Sequence, residues 1–145
     1  MSERFPLAAA ADRAWALIED IRGVFACLAS AELGPPSDGR YPAVMKVRLA
    51  GVNLAFRGTV ELLLDPAGKT ATLHARGADF TGAIKARSEV QVSILADAGA
   101  GCTLEVWSRT EMLGGLANVM AGPGAHITRQ ILKDFGDCIA SRAAA

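Results

Sequence analysis

The chain has 145 residues, and its 15 Lys and Arg balance its 15 Asp and Glu, so its formal net charge is zero. That balance removes the electrostatic case for nucleic-acid binding, which rests on a basic excess that neutralises phosphates. Half of the chain is hydrophobic (51%), yet only 6% is aromatic and 15 residues are glycine, which predicts one domain over residues 1–145 whose small core side chains leave internal volume open.

Cys27, Cys102 and Cys138 are odd in number, scattered and without CxxC spacing. They read as thiols of a reducing compartment, not as a zinc site or a disulfide framework. The N-terminus, MSERFPLAAA, places charges early and has no apolar signal-peptide core. Met112–Thr128 carries no Lys, Arg, Asp or Glu, but Gly114, Gly115, Gly122, Pro123 and Gly124 interrupt it. It is also shorter than the roughly 20 apolar residues of a spanning helix, so it reads as a connection into a helix. The expected localisation is cytoplasmic, with at most transient membrane contact.

In chain order, Glu3–Ala8 alternates like a short opening strand. Asp12 then stands as an N-cap or first-turn acid for a helix through Ile21, with Trp15 and Ile18 on its apolar face. Gly23 interrupts, and Val24–Ala29 reads as a second short helix. A short strand near Ala31–Leu33 lies beside a loop carrying Gly34, Pro35, Pro36 and Gly39. Two long strands follow, meeting at Gly51. Ala43, Met45, Val47 and Leu49 face one way in the first. Val52, Leu54, Phe56, Gly58, Val60, Leu62 and Leu64 do so in the second, with Arg57, Thr59 and Glu61 on the opposite face.

Asp65-Pro66-Ala67-Gly68 is a turn, in which proline presets φ and glycine supplies a positive φ. Three more alternating strands run through Ala71–Arg76, Ile84–Ile94 and Leu104–Met112. From Ala125 to Arg142 the period becomes helical, with Ile127, Ile131, Leu132, Phe135, Cys138 and Ile139 on one stripe. Strand, two helices, an antiparallel sheet and a long C-terminal helix make an α+β chain in which a curved sheet grips the last helix. This order resembles the helix-grip fold of the START/Bet v 1-like (SRPBCC) superfamily.

Particular segments carry a narrower resemblance: CLASAEL (Cys27–Leu33), DGRYPAVMKVRLAGVNLAFRGTVEL (Asp38–Leu62), ARGADFTG (Ala75–Gly82), LGGLANVMAGPG (Leu113–Gly124) and ILKDFGDCIA (Ile131–Ala140). Together they resemble the CoxG-like family of carbon monoxide dehydrogenase accessory proteins. Ala29-Ser30-Ala31 departs from the Pro-Gly-Ala that its members usually carry. Some members have a C-terminal extension with a membrane anchor; this sequence ends at Ala145, so anchoring is not expected to carry over. The resemblance implies an accessory protein of a CO-dehydrogenase-type molybdenum hydroxylase, with that enzyme complex as partner. A cavity on this fold would hold a quinone or another lipid as a non-covalent cargo, and no covalent cofactor is expected.

The chemistry available agrees with a carrier better than with a catalyst. Inward sheet positions are almost wholly apolar, with Ser88, Ser108 and Thr110 as the hydroxyls and no inward carboxylate pair for acid–base work. No catalytic residue is assigned. His74 falls on the polar side of its strand and His126 opens the last helix; the two are far apart and no third ligand stands at metal spacing, so no metal is expected. GADFTG and LGGLANVMAGPG match neither the dinucleotide nor the P-loop pattern. The second of them, Gly114–Gly124, is a candidate gate.

The expected ligand wall is Trp15 and Phe25 from the front helices, with Met45, Phe56, Leu73, Ser88 and Thr110 from the sheet. Met112, Leu116, Met120, Ile127 and Ile131 complete it from the gate and final helix. Methionines adapt to irregular ligands. On the outer face Trp107, beside Arg109, is the expected partner contact, because exposed tryptophan is enriched at interfaces. The alternative function is a small polyketide cyclase-like enzyme on the same fold, acting on an aromatic or polyketide substrate. A pure protein-binding module with a filled core is a third.

Overall fold

The computed structural model describes residues 2–28, 31–49, 52–96, 101–114 and 117–144, with side chains described throughout except at 47–49, 52, 114 and 117–128. Strand β1 (Ser2–Leu7) is followed by helices α1 (Ala11–Glu19) and α2 (Ile21–Ala26). Strands β2 (Ala31–Leu33), β3 (Arg40–Leu49), β4 (Val52–Asp65), β5 (Thr70–Asp79), β6 (Ile84–Ala96) and β7 (Cys102–Gly114) come next, and α3 (Ala117–Ala144) ends the chain. The strands form one seven-stranded sheet in the order β1-β7-β6-β5-β4-β3-β2. Every pair is antiparallel. Alternation along β3–β7 sends one set of side chains to the inner face and the other to solvent, as the period of two requires.

Four local readings change. The break between the front helices falls at Asp20, whose backbone is extended, and Gly23 lies inside α2. Bare space matters there, because a Cβ on Gly23 would stand 2.6 Å from Asp20 Oδ2. In the β4–β5 turn the positive φ belongs to Lys69, not Gly68. Gly68 instead lets its N–H reach Asp65 Oδ1 at 3.3 Å, where a Cβ would stand 2.7 Å from Asp65 Oδ2.

The third correction concerns the last helix, which begins at Ala117 and not at Ala125, running through Gly122-Pro123-Gly124. Propensity is a weak prior that tertiary context overrides. No described helix is long and apolar enough to cross a membrane. The fourth is chemical: Cys27 and Cys138 form a disulfide, with Sγ–Sγ 2.10 Å and Cα–Cα 5.6 Å, across 111 residues of sequence. Cysteine spacing could not find it, because the fold brings the C-terminus of α2 against α3. Cys102 is buried in the core and stands outside the bridge.

Helix α3 is held against the other layers at three points. Gly136 accepts the Phe5 ring of β1, which a Cβ at that position would meet at 2.3 Å. Arg142 Nη1 donates to the Gly23 carbonyl of α2 at 2.9 Å. The disulfide fixes the same helix pair. The main core fills one end of the sheet: Trp15 and Ile18 pack with Ile94, Leu104, Val106, Leu132, Phe135 and Ile139. A separate small cluster, Phe56 and Ile84 with Leu54, Ala86 and Met112 against them, fills the other end.

Candidate functional site

The inner face between those two clusters is built from cross-strand rows. One row runs Ala43–Gly58–Gly77–Ala86–Met112 from β3 to β7. The next runs Tyr41–Val60–Ala75–Ser88–Thr110, and the one after it Leu62–Leu73–Val90–Ser108. The first row therefore offers almost no side-chain volume across four strands. At its centre Gly58 and Gly77 face each other, and β4 and β5 approach so closely that a Cβ on Gly58 would stand 1.7 Å from the Arg76 carbonyl oxygen. Small residues opposite a helix leave space, and the space is present.

A pocket of about 280 Å³, partly open to solvent, lies over these rows. Its floor is the inner sheet face; Ile18, Ile21, Val24 and Phe25 wall it from the front helices, Leu28 from the segment after α2, and Ile131, Leu132 and Phe135 from α3. The lining is apolar apart from Thr59, Arg76, Ser88, Ser108 and Thr110, and among the described residues it holds no carboxylate and no imidazole. Ser88 Oγ and Thr110 Oγ1 lie 3.0 Å apart and so satisfy each other across β6 and β7. No group of three or more potential metal ligands occurs among the described residues.

Of the expected wall, Phe25, Met45, Phe56, Leu73, Ser88, Thr110, Met112 and Ile131 line this pocket. Trp15 does not; it is buried in the main core beside Ile18. Leu116 lies outside the described residues, as do Gly115, Ala29 and Ser30 and the side chains of Met120 and Ile127; from Ala117 onward the candidate gate is the first part of α3. Sequence reading missed the small residues Ala43, Gly58, Ala75, Gly77 and Ala86, which make the room. The signal was available as Gly and Ala recurring at inward positions of consecutive strands.

The outer face carries a polar pocket of about 420 Å³ over the row Arg40–Glu61–His74–Glu89–Arg109. Glu111, in the neighbouring row, accepts from Arg87 and, at 2.8 Å, from Arg109 Nη2. The Arg87 hydrogen bond and charge, followed by the charge of Arg109, hold its carboxyl below the ordinary value. Trp107 sits at the edge of this ladder, opposite Gln91 and Ser2, and is 37% exposed.

No family model matches the sequence, and no curated protein sequence does. Solved structures do. A conserved protein from Geobacillus kaustophilus superposes with a TM-score of 0.83 at 16% identity, covering 99% of this chain and 93% of that one. The Zhui aromatase/cyclase from Streptomyces sp. R1128 gives 0.69 at 13% identity, covering 99% and 92%. A START superfamily protein from Mycobacterium smegmatis gives 0.66 at 18% identity, covering 99% and 96%. The seven-stranded sheet and C-terminal helix are thus the helix-grip fold of START/Bet v 1-like (SRPBCC) proteins. At these identities the likeness is one of fold.

Proposed function

We propose that this chain is a non-enzymatic carrier of an apolar molecule, a quinone or lipid, held between α3 and the sheet. The observation that carries the reading is the lining. The pocket separates two independently packed clusters, and its described wall is apolar apart from Thr59, Arg76, Ser108 and the Ser88–Thr110 hydroxyl pair, which is satisfied internally. A site of this kind binds by burial, at roughly 25 cal/mol per Å² of apolar area removed from water. Ligand pockets usually measure about 300–1,000 Å³, so a cavity of about 280 Å³ suits a ring and the start of a tail, with the remainder leaving through the open side.

The sequence resemblance to the CoxG-like family suggests the setting. The carrier would serve a CO-dehydrogenase-type molybdenum hydroxylase as accessory or maturation factor, moving electrons or components in lipid-soluble form. Trp107 and Arg109 are the proposed contact with that enzyme, since both lie on the solvent face away from the pocket lining.

One observation favours an enzyme instead: the same fold occurs in the Zhui aromatase/cyclase. Native mass spectrometry with organic extraction separates the readings. A carrier retains a stoichiometric quinone or lipid, or takes up added short-chain quinone. Its Ser88→Ala and Thr110→Val variants keep their affinity within about fivefold, because a single neutral hydrogen bond contributes on the order of 1 kcal/mol. Refusal of every quinone and lipid offered would sink the carrier, and loss of turnover in those variants would establish the enzyme.

A further inference from the structure

We infer that the end of the sheet bearing Phe80 and Leu113 docks reversibly on an anionic lipid surface. These are the two most exposed large apolar side chains among the described residues, at 63% and 67%. Phe80 leads the β5–β6 turn, with the Arg57 guanidinium 5.0 Å from its ring centre. Leu113 lies directly across from Lys85. Arg57 and Lys85 both pair with Ala78, so Arg57, Lys85 and Leu113 share one outer row. Lys46 stands exposed nearby on β3, and Arg76 and Arg87 face each other one outer row back.

Carboxylates do not balance these cations locally. In the same rows Glu32 lies at the β2 edge, opposite Val44, and Glu111 is engaged by Arg87 and Arg109. Asp79 accepts from Thr81 and the Ile84 N–H in its own turn and keeps its charge, so the five cations Arg57, Lys85, Lys46, Arg76 and Arg87 stand against the three carboxylates Glu32, Asp79 and Glu111. A chain of zero net charge thus concentrates cations and protruding apolar groups at one end. Apolar groups that enter the acyl boundary, flanked by Lys and Arg at headgroup depth, are what an anionic bilayer surface holds.

The choice of a lipid surface over an acidic protein rests on the carrier reading. Ala86 and Met112, which wall the pocket, adjoin Lys85 and Leu113 in sequence and lie on the opposite face of the same strands. Docking through this end would bring the pocket within one sheet thickness of the membrane from which cargo is taken.

Co-sedimentation of the whole chain tests the inference, using vesicles of phosphatidylcholine alone and of phosphatidylcholine with phosphatidylglycerol. Binding to the mixed vesicles is expected, weakening as salt rises. It should fall at least about tenfold both in Phe80→Ser/Leu113→Ser and in Arg57→Glu/Lys85→Glu. Circular dichroism confirms folding, and uptake of added short-chain quinone stays unchanged because none of the four lines the pocket. Quinone uptake without vesicle binding overturns the docking alone and assigns this end to an acidic protein surface. Vesicle binding unchanged in both variants also overturns it. Vesicle binding that the variants abolish, in a protein that takes no quinone, supports the docking while removing the carrier reading.

Discussion

Glycine at position 58 does something no other residue could. Its missing Cβ lets β4 lie against β5 at Gly77, and the same absence empties the centre of the inner face. Gly58→Ala places a methyl 1.7 Å from a backbone oxygen that cannot move without breaking the ladder. It should cost at least about 3 kcal/mol, read as a lower denaturant midpoint. Asp79 is the second residue whose role is local. Its carboxylate accepts from Thr81 Oγ1 at 2.6 Å and from the Ile84 N–H at 3.0 Å, closing the β5–β6 turn. Those bonds, the Thr81 one first, lower its pKa below the ordinary 3.8. A carboxyl depressed on folding stabilises fully above its unfolded value, and this is lost as pH falls through the folded one. Asp79→Asn should therefore lower the thermal midpoint at neutral pH and flatten its decline below about pH 4, where wild type loses the same contribution.

At the scale of elements, α3 decides the architecture. A two-faced sheet leaves its apolar side bare unless another layer covers it. The helix is fastened by the Phe5–Gly136 contact, by Arg142 on the Gly23 carbonyl and by the Cys27–Cys138 bridge. The bridge closes a loop of 111 residues of sequence separation, for which the chain-entropy model gives up to about 5 kcal/mol. Cys27→Ser, or a dithiol reductant acting on wild type, should lower the urea midpoint by a comparable amount. The reductant should have no effect on the variant. The two helices it ties together both wall the pocket, through Val24 and Phe25 on one side and Ile131 and Phe135 on the other. Ligand retention should therefore weaken in step with stability.

Across the whole molecule, the feature that matters is a core in two parts with space between them. Filling the space should abolish binding without unfolding the protein. Ala75→Leu adds volume at a residue that lines the pocket from the inner face. Added quinone should bind at least about tenfold less well, while the thermal midpoint stays within about 3 °C of wild type. Equal loss of both would mean that the room is needed for folding and is not a ligand site. The outer face, polar and laddered, is independent of this change, so vesicle binding should persist.

Much of this was legible in the sequence. Alternation along Asp38–Asp65 and its successors placed the strands and their inner faces, because a period of two leaves only one choice once apolar residues recur at every second position. The helical stripe from Ile127 to Ile139 announced the covering layer, and the absence of inward carboxylates was visible residue by residue. Distances in space were not legible. Cys27 and Cys138 lie 111 positions apart and meet only because α2 and α3 pack together. Trp15 has the pattern of a pocket residue, yet packing put it in the core. The room over Gly58, Ala75, Gly77 and Ala86 exists because four strands align their smallest residues in neighbouring rows. Periodicity is a property of each segment alone, whereas register, bridging and empty volume belong to pairs of segments, and only the folded chain brings those pairs together.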